Sequence, residues 1–165
     1  MSRNIKCLFI LIVTAFFVFG SCKRSAFSDI PHIEFRNLEK IDNGFGYDDK
    51  GRITFYFEDG DGDIGLEGNI PDTLATENDY NFFIKYYEKQ NGKFELVKPA
   101  ITLNARIPPL SYTIPESISG IISVETFINN YASKYDTVKF DFYIVDRKKH
   151  SSDTATTGEV IIKKK

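Results

Sequence analysis

The chain has 165 residues, 42% of them hydrophobic and 15% aromatic, with a formal net charge of −2. That length and apolar content predict one folded domain and exclude a disordered chain. The acidic balance, with no basic face to offset it, argues against a nucleic-acid partner.

In chain order, the N-terminus comes first. Arg3 and Lys6 precede an apolar run from Leu8 to Phe19 broken only by Thr14. The run is shorter than the roughly 20 residues that a membrane-spanning helix needs. Its charge-then-apolar layout is that of a secretory signal. Phe19-Gly20-Ser21-Cys22 then resembles a bacterial lipoprotein cleavage box, with Phe19 where leucine is more usual. The resemblance implies cleavage before Cys22 and acylation of that residue on its sulfur and its new amino group. One acyl chain anchors only marginally, so stable retention at a lipid bilayer takes at least two. The competing reading, a free cysteine after an ordinary signal with Cys7 as its disulfide partner, is disfavoured because Cys7 lies in the segment that would be removed. The expected organisation is therefore a signal peptide over 1–21, a lipidated Cys22 and tether over 22–30, and a domain over 31–165. Loss of Arg3 and Lys6 from 21 basic residues, and of none of 23 acidic ones, leaves 19 against 23, a net charge of −4. Lys23 is not the aspartate that holds enterobacterial lipoproteins in the inner membrane. Nor does an acidic cluster follow the cysteine, as in surface-exported lipoproteins of Bacteroidota. By that likeness the chain is expected at the outer membrane of a bacterial envelope, on its periplasmic face.

The rest of the chain reads as strands. His32 to Leu38 alternates, and Asn43-Gly44 and Asp49-Lys50-Gly51 are turn signals. In Arg52 to Glu58, Ile53, Phe55 and Phe57 point one way and Thr54, Tyr56 and Glu58 the other, a half-buried strand. A polar loop from Gly68 to Asp79 leads to an alternating run, Phe82 to Tyr87. Asn91-Gly92 is a strong hairpin signal, with Phe94 to Val97 returning. Four prolines, Pro99, Pro108, Pro109 and Pro115, demote the middle to coil and short edge strands, expected at Ile101–Leu103 and Leu110–Ile114. Ser119–Asn130 reads either as a strand or as a helical turn. Val138 to Val145 is a long strand, and Val160-Ile161-Ile162 closes the domain. Seven or more short strands without a helical period predict an all-β antiparallel sandwich.

Between the second strand and its polar loop lies Asp59-Gly60-Asp61-Gly62-Asp63-Ile64-Gly65. Carboxylates at every second residue can wrap a calcium ion, which takes six to eight oxygen ligands. The spacing resembles the start of an EF-hand loop but departs from it. Ile64 stands where the invariant glycine belongs, Ile70 occupies the place of the closing glutamate, and a strand precedes the loop. The remaining readings are a calcium or similar hard-cation site on Asp59, Asp61 and Asp63, with Asp146 as the best further donor, a plain polar turn, or a direct ligand site. Three like charges within five residues repel one another, and a turn needs only one or two.

The run F-x-D-G-D-G-D-I-G, from Phe57 to Gly65, is similar to an element of small Bacteroidota lipoproteins with an immunoglobulin-like domain. Asp146, Arg147 and Ser152 resemble the closing pattern D-R-x-G-N-x-S of such domains, with Lys149 and His150 replacing its glycine and asparagine. The resemblance implies an immunoglobulin-like, fibronectin III-like β-sandwich. In that topology the loops after the second and the penultimate strands share one end. Asp59, Asp61 and Asp63 would then meet Asp146 and Asp153, close to the start of the first strand.

No catalytic constellation is legible. His32 and His150 have no nucleophile setting such as G-x-S-x-G, and the glycines lie among acids that repel phosphate. The expectation is a non-catalytic binding or structural module of the envelope. The alternative is a carbohydrate- or peptide-binding component of an uptake or adhesion system, using Tyr80, Phe83 and Tyr87 against a glycan or protein partner.

Overall fold

A computed structural model of the chain describes residues 27–68, 74–110 and 116–164. The signal segment, Cys22 and residues 111–115 lie outside the described residues. Among the described residues eight strands form: β1 (His32–Asp42), β2 (Asp48–Asp59), β3 (Phe82–Gln90), β4 (Lys93–Val97), β5 (Ile118–Phe127), β6 (Thr137–Ile144), β7 (Ala155–Thr156) and β8 (Val160–Ile161). One 3-10 turn, Glu77–Asp79, precedes β3.

The strands make an antiparallel β-sandwich. One sheet runs β1-β2-β5; the other runs β4-β3-β6-β7, with β8 also beside β6. First, second and fifth strands facing third, sixth and last is the immunoglobulin-like order. Register follows the hydrophobic period. Ile53, Phe55 and Phe57 of β2 pack with Phe142 and Ile144 of β6, while Val138 and Phe140 of β6 pack with Tyr86, Leu103, Ile128 and Ile162; the β2 and β6 residues named are all 5% exposed or less. At the centre, Phe55, Phe82 and Phe142 lie with ring centroids 5.5 Å apart in each pair. Phe35 meets Phe142 edge-on at 6.3 Å. Each such pair contributes about 0.5–1.5 kcal/mol beyond its buried area. The β3–β4 turn uses Asn91 and Gly92 at φ 52° and 82°, as the hairpin signal requires.

Two local expectations are corrected. Asp49-Lys50-Gly51 is not a turn but the start of β2; the reversal is at Asn43–Tyr47, closed by the Asn43 amide donating to the Tyr47 carbonyl at 2.9 Å. Ile101–Leu103 is coil. After Pro99 its polar groups find side chains instead of a ladder: the Thr126 hydroxyl donates to the Leu103 carbonyl, and the Asn104 side-chain oxygen accepts from the Ile84 amide. Leu110 lies outside any strand, and the rest of the expected strand to Ile114 falls outside the described residues. The ambiguous segment resolves as β5, paired along its whole length with β2.

Candidate metal centre

The acidic loop begins inside the sandwich. Residues 53, 55, 57 and 59 share one face of β2, so the alternation that buries the phenylalanines also turns Asp59 inward. Asp59 is fully buried, Asp63 nearly so, and Asp61 keeps a side-chain exposure of 12%. Ile64 is fully buried and pins the loop to the core beside Phe57 and Ile144. Two glycines are obligatory. Gly62 (φ +69°) lies where an added Cβ would meet the Glu116 carbonyl oxygen at 2.5 Å, and Gly65 (φ +108°) lies against the backbone of Pro108 and Pro109.

The loops after β2 and β6 converge as the topology requires. The Arg147 amide donates to the Asp63 carbonyl at 3.3 Å, and the Arg147 guanidinium approaches the Gly62 carbonyl at 3.5 Å. The Lys148 ammonium pairs with the Asp61 carboxylate. Asn81, buried before β3, clasps Ile107 with both ends of its amide, at 2.7 and 3.1 Å. The Ile107 carbonyl in turn accepts from the Leu66 amide at 3.0 Å. The acidic loop is thus held from several sides.

Asp59, Asp61 and Asp63 each offer a carboxylate oxygen within 4.8 Å of the others, a group that could hold a metal ion. Both oxygens of Asp59, and one each of Asp61 and Asp63, are buried without a hydrogen-bond donor. The backbone amides of Asp63 and Ile64 act on Asp59 but fall short of hydrogen-bond geometry. Burial, then the charges of Asp61 and Asp63, push the Asp59 carboxyl up to about 6. Burial, then Asp146 and Asp61, also raise Asp63. Burial pushes Asp61 upward too, but the Lys148 hydrogen bond and charge, together with hydrogen bonding from Asp63, hold that carboxyl below its ordinary value. Unpaired buried carboxylates are costly, and a divalent cation is the partner that satisfies several at once.

Asp146 is buried beside this group but not in it. Its oxygens accept from the His150 amide at 2.7 Å and bond the His150 ring Nδ1 at 2.8 Å. That histidine is the partner the sequence reading missed. Asp153 is spent on the start of β1, accepting from the Ile33 amide at 3.0 Å and meeting the His32 ring at 3.1 Å.

Tyr80, Phe83 and Tyr87 do not form one patch. Phe83 and Tyr87 lie on the outer face of the second sheet. There Phe83 stacks on Tyr143 at 5.2 Å, and the Lys139 ammonium sits 4.4 Å over the Tyr87 ring. Tyr80 instead lines a separate cleft of about 530 Å³ with Ile84, Tyr86, Leu96 and Leu103. No protein-family model, curated protein or solved structure matches the chain.

Proposed function

We propose that the chain is a lipid-anchored module of the bacterial envelope whose sandwich is stabilised at one end by a calcium ion on Asp59, Asp61 and Asp63. It binds or supports a partner and does not catalyse. The observation that carries the cation is Asp59, wholly buried with neither oxygen partnered. Calcium suits the site better than magnesium because a glycine-rich loop gives irregular oxygen geometry, which calcium accepts and magnesium does not. Backbone carbonyls and water supply the rest of its six to eight ligands. The lipid anchor rests on the likeness of Phe19-Gly20-Ser21-Cys22 to a cleavage box.

Calorimetric melting of the full chain in detergent, in calcium and then in chelator, tests the cation. At a hundredfold over its dissociation constant, calcium should add about 2.7 kcal/mol. For a chain of this size that is an upward shift of about 5–10 °C. Identical melting in millimolar calcium and in chelator removes the site.

A second reading, recognition of a glycan or peptide, is favoured by the Phe83–Tyr143 stack and Tyr87 on the outer sheet face. Binding of the full chain to a glycan array, lost on Phe83→Ala, would select it.

A further inference from the structure

We infer that Asp29, in the segment leading into β1, is a fourth acidic ligand of this cation, so that the ion ties the N-terminal lead to the loop after β2. The inference rests on the cation reading above and adds to it a ligand from a second part of the chain.

The contact between the two segments is already made. The Gly60 amide, between Asp59 and Asp61, donates to the Ser28 carbonyl at 2.7 Å. The Ser28 hydroxyl oxygen accepts from the Ile30 amide at 3.0 Å, a tight local turn with Asp29 at its middle. A side-chain cation already stands in this space. The Lys148 ammonium is paired with Asp61 and lies in the field of Asp63 and, most weakly, of Asp29. The nearness of the two segments therefore rests on the Gly60–Ser28 bond, and Asp29 adds negative charge on the same side. The Lys148 side chain is 57% exposed and free to swing into water when a divalent ion replaces it. Asp29 is exposed, so its carboxylate can turn to an ion without first leaving a buried partner. Asp146, the donor the sequence suggested, is held at both oxygens by His150. The cluster does not stand on its acidity alone, because Asp59 brings two fully buried, unpartnered oxygens to it.

Isothermal titration of calcium into the full chain in detergent, for the wild type and Asp29→Asn, tests the assignment. Hydrogen exchange of the Ser28–Ile30 amides is followed in parallel. The expected result is a tenfold or greater loss of affinity in Asp29→Asn with unchanged melting in chelator. Calcium should also slow exchange in the wild type and not in the variant. Equal affinities with equal slowing overturn the role of Asp29 and leave the three-aspartate site standing. A wild type that takes up no calcium overturns both.

Discussion

Asp59 shows how a single residue can be set against the fold that holds it. Strand alternation puts its carboxylate where a fourth apolar side chain would otherwise follow Phe57, and the amides of Asp63 and Ile64 that approach it fall short of hydrogen-bond geometry. Its carboxyl titrates at about 6, against an ordinary aspartate value of about 3.9. The folded chain therefore takes up a proton, between about pH 7 and pH 4, that the unfolded chain does not. Stability in calcium-free buffer must rise as the pH falls through that window. The raised Asp63 acts in the same direction; the lowered Asp61 acts against it only at more acid pH. Allowing for screening, the gain should be roughly 2 kcal/mol. Asp59→Asn should melt higher than the wild type at pH 7 without calcium, lose most of the pH dependence, and no longer respond to calcium. Parallel pH profiles for the two proteins would contradict this account. The inward direction of Asp59 was legible in the sequence, since residues 53, 55, 57 and 59 are in phase. The capture of Asp146 by His150 was not: a contact four residues along an irregular loop leaves no periodic trace.

Among elements, β5 shows where sequence periodicity fails. Its inward set, Ile118, Ile122 and Val124, is interrupted by Gly120, while Ile121 and Phe127 are apolar and face solvent. Both faces then read alike, and only pairing with β2 decides the strand. By contrast β2, β3 and β6 alternate cleanly and were legible. The loop after β5 is organised by a residue with no motif around it, Glu88 of β3. Buried among strands, its carboxylate accepts from the Tyr86 and Ser133 hydroxyls at 3.1 and 2.8 Å and from the Asn130 and Gln90 amides at 3.1 and 3.2 Å. From the other side, the Lys164 ammonium donates to the Asn130 and Ser133 carbonyls at 2.8 and 2.9 Å. Glu88→Ala would strand four donors, so chemical denaturation should show a loss of about 3 kcal/mol. Because the acidic loop is at the opposite end of β3, calcium affinity should be unchanged.

At the scale of the molecule, the immunoglobulin-like order gathers the start of β1, the ends of β2 and β6 and the start of β3 at one pole. That gathering was predictable from strand count and order, because the topology fixes which loops are neighbours. The nearness of the lead before β1 to the acidic loop was predictable on the same ground; the particular Gly60–Ser28 hydrogen bond was not, since a polar lead has no pattern that ties it to one residue of that loop. If Cys22 carries the lipid, Cys22→Ser should abolish incorporation of labelled palmitate in cells and release the chain from the membrane fraction. Label retained in the variant would place the anchor elsewhere. The last strand has a further consequence. The outer partner of β6 is broken into two-residue pieces, Ala155–Thr156 and Val160–Ile161, around Gly158 at φ 71°. A neighbouring chain in search of a row of open amides and carbonyls finds no continuous ladder on that flank. Copies of the chain are thereby discouraged from pairing edge to edge along that flank.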